Sequence, residues 1–391
     1  MPSRRPLRRA LLTSGLLIAG AFILAACSAD RPMSTLDVQG SHARNILDLL
    51  IPIFWAAVAV FVVVEGILLY TIFRFRSRNA DTIPTQFHGN TTIEILWTIA
   101  PALIVLVIAV LTFRTQAINS RTSEDALRIV AVGQQWWFSF DYPEQGVTTA
   151  NELYIPVGRE VTVQLDARDV IHNFWIPKLA GKTYMIPGNT NYLTFNAETE
   201  GVYRGQCAEF CGQAHALMKF RVIAVQPEVF DQWVAAHKTI PAAPVAAAYT
   251  GTPPGKDTGY QWVPVMPAFP ATVNGQTFSG DGTGGNAENG LAVYNGKGLC
   301  YTCHAIAGNE KAVGKVGPNL TYTGSRTMIA AGLIPNTTAN MYAWLHAPGT
   351  IKPGNIMSTV IVPGLLTDQE IKDLTAYMES QTHDIPLPAE R

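Results

Sequence analysis

Twelve residues from Cys207 to Met218 place two thiols, an imidazole and a thioether in one short stretch, at Cys207, Cys211, His215 and Met218. Soft sulfur combined with imidazole selects copper over magnesium or calcium, which prefer oxygen. Two thiolates at this spacing can bridge a pair of coppers. A pair that shares one electron changes its bond lengths little on oxidation, which suits electron transfer. Such a site needs a second imidazole, and His172 offers one from the apolar stretch Asp169-Val-Ile-His172-Asn-Phe-Trp-Ile-Pro177. The competing reading is a disulfide between Cys207 and Cys211, as exported proteins form. A structural bridge asks for neither the histidine nor the methionine at these positions.

A second redox signature is Cys300-Tyr-Thr-Cys303-His304, the spacing for covalent attachment of a c-type haem. Each cysteine would add to one vinyl group, and the adjacent histidine would sit beneath the iron. A bare motif of this kind also suits a redox pair or half a zinc site. Here Gly317-Pro-Asn-Leu320 follows, and Ile351-Lys-Pro-Gly-Asn-Ile-Met357 offers a distal thioether on a loop shaped by proline and glycine. A His/Met pair favours electron transfer and raises the potential. Met341 and Met378 compete as the distal ligand, but both lie on helical patterns where core packing is the simpler role.

These sites need elements to hold them. Segments such as Val161-Thr-Val-Gln-Leu165 and Phe220-Arg-Val-Ile-Ala224 alternate with period two, and they predict a β-sandwich over residues 114–236. Thr367-Asp-Gln-Glu370 reads as a capping box before Ile371, Leu374 and Met378, which share one helical face. Residues 285–391 are therefore expected to form a small helical domain. Between them, residues 237–284 are rich in Pro, Ala, Gly and Thr and read as a linker. Trp262, Met266 and Phe269 stand among its prolines, and residues 260–270 are expected to dock on a neighbouring subunit.

The N-terminus carries Arg4, Arg5, Arg8 and Arg9 before an apolar run to Ala26, an export signal over residues 1–26. Leu24-Ala-Ala-Cys27 reads as a lipobox, which would make Cys27 the lipidated first residue of a mature segment over 27–46. That assignment accounts for the last of the five cysteines. Two apolar runs, Leu47 to Phe73 and Ile93 to Phe113, are each long enough to cross a bilayer, giving a hairpin over 47–113. Arg74, Arg76 and Arg78 in the connection place it in the cytoplasm, so both redox domains face outward. Glu65 lies inside the first span, where an ionisable group faces protein rather than lipid. Glu94, three residues after Thr91, reads as a capping glutamate for the second helix. The net charge of −1, with dispersed Lys and Arg, argues against a nucleic-acid partner. His42, His88, His237, His346 and His383 carry no assigned role.

Together these motifs resemble cytochrome c oxidase subunit II, in the caa3-type form with a cytochrome c fused at the C-terminus. Gly133-Gln-Gln-Trp136-Trp137 resembles that family's aromatic electron-receiving segment, with Gln134 where a histidine is frequent and Phe138 where a tryptophan is frequent. The resemblance implies a multidomain membrane protein: a two-helix transmembrane hairpin, an all-β cupredoxin-like Greek-key sandwich and an all-α class I cytochrome c domain. It implies a dinuclear CuA centre in which Cys207 and Cys211 bridge, His172 and Met218 complete one copper, and His215 with the backbone carbonyl of Glu209 completes the other. The Glu209 side chain would touch magnesium at the subunit I boundary. Haem c would be held by Cys300, Cys303, His304 and Met357, with Trp136 receiving electrons and Glu94 near a proton-uptake pathway. The implied partners are subunit I, other oxidase subunits and an upstream electron donor. The implied location is the bacterial plasma membrane, with both metal domains on its outer, periplasmic face. A nitric oxide reductase subunit with CuA would share nearly every feature. A membrane-anchored copper chaperone would have no use for Met218 or a haem domain, and a quinol oxidase subunit would lack the copper ligands.

Overall fold

The computed structural model describes residues 20, 31–76, 89–238, 272–273, 276–277, 280–362 and 364–391. The export signal apart from Gly20, together with Cys27, Arg78, His88 and the 260–270 stretch of the linker, lies outside the described residues.

Helix α1 (Ser41–Arg74) and helix α2 (Thr91–Asn119) contain the two apolar runs, and each has an 18-residue stretch with a mean hydropathy of 2.6. At 1.5 Å per residue the 34 residues of α1 reach about 51 Å, well beyond a hydrocarbon core of about 30 Å. The surplus lies at its start, which is tied to the sandwich. Ala43 N–H donates to the Leu179 carbonyl, Gln39 N–H donates to that of Lys178, and Lys178 pairs with Asp37 at 2.5 Å. Glu65 faces the groove between the helices, beside Ile104 and Ile108. The Thr91–Glu94 capping box is not formed. Asn90 caps α2, its side-chain oxygen accepting from Thr92 and Ile93 N–H, so Thr91 is the first helical residue and Glu94 an exposed first-turn acid.

Ten strands form two five-stranded sheets: one runs, in order, β3 (Val147–Ala150), β2 (Trp137–Tyr142), β1 (Leu127–Gln134), β5 (Val161–Ala167) and β8 (Asn191–Phe195), and the other β4 (Glu152–Pro156), β10 (Lys219–Val225), β9 (Gly201–Cys207), β6 (His172–Ile176) and β7 (Ala180–Met185). The period-two segments fall in β5 (Val161–Ala167) and β10 (Lys219–Val225). Parallel pairing of β1 (Leu127–Gln134) with β5, and of β10 with β4 (Glu152–Pro156), gives the crossovers of a cupredoxin-like sandwich. Phe138, Phe140, Phe174 and Phe220 fill its centre, with the Phe174 and Phe220 rings 4.5 Å apart. Gly205 is required there, because a β-carbon would come within 2.2 Å of the Phe220 ring. Helix α3 (Pro227–Lys238) seals the far end through Phe230 and Trp233, and it includes His237, expected as the first linker residue.

The C-terminal domain packs α4 (Ala287–Tyr294), α5 (Thr338–His346) and α6 (Asp368–Ser380) around Tyr294, Met341, Leu345, Leu374 and Met378. The capping box at Thr367 and Glu370 is formed as the sequence predicts.

This domain lies directly on the sandwich. A hairpin of Met328–Ile329 and Ile334–Pro335 turns through Ala330, Ala331 and Gly332, all with positive φ, and Lys219 N–H donates to the Ala331 carbonyl. Buried Glu152 accepts from the Thr327 N–H at 3.0 Å and its hydroxyl at 2.9 Å, and Arg221 donates to the same hydroxyl. The Tyr322 hydroxyl donates to the Ala236 carbonyl. Beyond α6 the chain returns to the sandwich, where Ile385 and Leu387 pack on its core. Val202 N–H donates to the Ala389 carbonyl and Arg391 N–H to that of Val202, adding a short parallel bridge beside β9 (Gly201–Cys207).

Candidate metal centres

The copper ligands gather at one end of the sandwich because three strand ends meet there. His172 opens β6 (His172–Ile176), Cys207 ends β9, and the following loop returns through a short turn at His215–Leu217 to Met218, just before β10. Cys207 N–H donates to the Met218 carbonyl, closing the loop on itself. The two sulfurs stand 3.7 Å apart, so no disulfide is formed, since bonded sulfurs lie about 2.05 Å apart. His172 Nδ1 is 3.9 Å from Cys207 Sγ, His215 Nδ1 is 3.6 Å from Cys211 Sγ, and Met218 Sδ is 3.8 Å from Cys211 Sγ. The Glu209 carbonyl lies 3.2 Å from Cys207 Sγ. All six residues named from the sequence therefore meet, and a cluster of buried sulfur and imidazole donors fits copper.

The protonation pattern follows from crowding. The hydrogen bond between the two sulfurs holds Cys207 far below the ordinary thiol range, with help from His172, while the same bond and burial push Cys211 up. A cation bound between the two sulfurs would displace thiol protons. Burial works against charge on His172, but the Cys207 and Asp169 contacts outweigh it and raise its pKa. Asp169 Oδ1 accepts from His172 Nε2 at 2.8 Å, which leaves Nδ1 facing the sulfurs. Its second oxygen accepts from Gln135 N–H at 2.7 Å. The sequence placed Asp169 in the motif without this orienting role; a carboxylate three residues before a ligand histidine was the available signal.

Trp136 is 9% exposed, and its indole N–H donates to the Cys211 carbonyl at 3.0 Å, beside Gln135, whose amide donates to the same oxygen at 2.7 Å. Phe138 and Gln134, the two departures from the family pattern, are both buried.

The other side of Trp136 faces a largely apolar crevice in the C-terminal domain, lined by Cys300, Cys303, His304 and Met357. His304 Nδ1 donates to the Pro318 carbonyl at 2.8 Å, leaving Nε2 free, and burial lowers its pKa, which favours the neutral imidazole an iron ligand needs. Gly317 makes the close approach possible, since a β-carbon there would lie 2.4 Å from His304 Cε1. These residues fit a covalent haem. Met341 and Met378 line the same crevice as buried members of the helical core. Lys352, unremarked in the sequence because an isolated lysine reads as surface, is 3% exposed and donates to the Trp136 carbonyl at 2.5 Å. Burial holds its pKa down at about 7.

A membrane-anchored cupredoxin-like domain with a thiolate and imidazole cluster, joined to a cytochrome c domain, defines an electron-transfer subunit of a respiratory oxidase. Residues 36–115 match the family described as cytochrome c oxidase subunit II, transmembrane domain, residues 145–225 its periplasmic domain, and residues 287–382 cytochrome c. Cytochrome c oxidase subunit 2 of Alkalihalophilus pseudofirmus is 31% identical over 364 residues, covering 91% of this chain and 93% of that one. The Bacillus subtilis protein of the same name is 31% identical over 366 residues, covering 89% and 91%. The crystal structure of the periplasmic domain of subunit II of cytochrome oxidase from Bradyrhizobium japonicum is 32% identical, with a TM-score of 0.29, covering 30% of this chain and 97% of that one. The chain belongs to the cytochrome c oxidase subunit II family, with a C-terminal cytochrome c domain. It is a membrane-bound subunit of an oxidoreductase, and its β-domain lies on the outer face.

Proposed function

We propose that this subunit receives electrons at a haem c held by Cys300, Cys303, His304 and Met357 and delivers them through the Trp136 region to a dinuclear copper centre. That centre is held by His172, Cys207, Cys211, His215, Met218 and the Glu209 carbonyl, and subunit I takes the electrons on to reduce oxygen to water with proton translocation. The bound groups supply one-electron chemistry. The chain supplies their ligands, the Asp169 hydrogen bond that orients His172, and burial that excludes water from both sites. The observation that carries this reading is Trp136, which lines the crevice beside His304 and donates from its indole to the backbone of Cys211.

Three finer assignments belong to the same reading. The half-buried Glu209 side chain contributes to a magnesium site at the subunit I boundary, Glu94 serves proton uptake, and the complex resides in the bacterial plasma membrane with Cys27 lipidated. The domain limits are those of the sequence reading, with the β-domain extended to Lys238.

The test is spectroscopy of the purified complex with Trp136→Phe alongside. The expected result is a mixed-valence dicopper signal and a low-spin haem c signal in both proteins, with haem-to-copper transfer at least about tenfold slower in the variant. A wild-type complex without the dicopper signal would overturn the proposal.

A further inference from the structure

We propose that Lys352 is a positioning residue for transfer between the two centres, its amine pinning the loop that carries Met357 to the backbone of Trp136. This rests on the haem and copper reading given above.

A lysine amine is rarely buried, because its charge is costly to remove from water. Lys352 is buried nonetheless, and its amine is satisfied by two carbonyls, Trp136 at 2.5 Å and Ala330 at 3.2 Å. The first bond crosses the domain boundary. The second holds the hairpin turn whose next residue, Ala331, accepts from Lys219, the neighbour of Met218. One amine thus gathers the methionine loop, the hairpin turn and the tryptophan segment.

Trp136 is consequently held at both ends, by Cys211 through its indole and by Lys352 through its carbonyl. The loop rides close against the indole. At Gly354, with φ of +84°, a β-carbon would stand 3.1 Å from Trp136 Cη2 and 2.6 Å from Gln213 Oε1 in the copper loop. A methionine at position 352 would fill the same space without donating to either carbonyl. The interdomain spacing would then rest on the Lys219–Ala331 bond, the contacts around Glu152 and Tyr322, and the returning tail.

The alternative is that Lys352 merely supports the cytochrome fold through Ala330, and the experiment separates the two roles. In the complete oxidase, Lys352→Met is compared with wild type by photoinduced reduction of the haem, following the haem-to-copper transfer at several solvent viscosities. Hydrogen exchange at the Lys219 amide and over residues 351–357 is measured on the same samples. The expected result is full haem and copper signals, transfer slowed about tenfold or more and made viscosity-dependent, and faster exchange at both places. Transfer at the wild-type rate, or slowing only in proportion to lost haem, would overturn the proposal. Should the methionine variant fail to assemble, Lys352→Gln, which retains an amide donor on a shorter stem, is judged by the same outcomes. Absence of haem-to-copper transfer in wild type would instead overturn the underlying reading and this proposal with it.

Discussion

Glu390 offers the most direct test of how firmly the cytochrome domain is strapped to the sandwich. Its carboxylate lies between Arg221, 2.7 Å away and 5% exposed, and Arg204, 3.1 Å away and 16% exposed, while retaining 19% exposure itself. Removing one member of a fully buried pair costs about 3–5 kcal/mol, because the remaining charge stays desolvated. The residual exposure of Glu390 moves the expectation for Glu390→Ala to about 2–3 kcal/mol. At 1.36 kcal/mol per decade, the tail should leave the sandwich roughly 30 to 150 times more often. Hydrogen exchange of the intact complex reads this directly, since the Val202 amide donates to the tail's Ala389 carbonyl and the Arg391 amide donates back. Both should exchange faster by that factor, while the neighbouring amides of β10 keep their protection. Protection at Val202 and Arg391 within twofold of wild type would refute the argument, leaving Ile385 and Leu387 to hold the tail unaided.

Two further outcomes follow from the packing. Gly317→Ala drives a β-carbon toward 2.4 Å from His304 Cε1, so the histidine must swing away. The variant is expected to keep its covalent haem but lose the low-spin signal, and an unchanged haem spectrum would count against the placement. His237 and His383, with ring centres 5.7 Å apart at the domain boundary, are each held at about pKa 4 chiefly by burial. The unfolded chain therefore takes up these protons first, and stability should fall as pH drops from about 6.5 to about 4, by up to about 1.4 kcal/mol per pH unit for each histidine. Thermal unfolding across that window should be less steeply pH-dependent in His383→Gln; an equal slope would remove this explanation.

The ligands were legible because their chemistry is local or nearly so. Cys207 to Met218 and Cys300 to His304 specify donor types at spacings a single loop can close, and His172 was recognisable once one imidazole was missing. The capping box at Thr367 and Glu370 is local in the same way, and it formed as expected. At Asn90 the local signal misled, because two adjacent residues, Asn90 and Thr91, can both cap, and the asparagine oxygen reached the helix N–H groups. What the sequence does not reveal is how the domains sit together. Lys352 and Trp136 are 216 positions apart, and Glu152 and Thr327 are 175 apart, so no period or motif links them.

That boundary has a logic of its own. A linker of that length would allow the cytochrome domain many orientations, yet its contacts cluster where the metal-bearing loops end. Ala331 meets Lys219 beside Met218, Lys352 meets Trp136, and Gly354 approaches Gln213 between Cys211 and His215. Glu152 and the returning tail brace the same pose from the flank, away from the ligands. Polar contacts of this kind are directional, and each is satisfied only in a narrow range of orientations, unlike an apolar face that can slide. The domain pair therefore presents one haem crevice to the Trp136 segment. Substitutions at the boundary should alter transfer between the centres before they alter either centre itself.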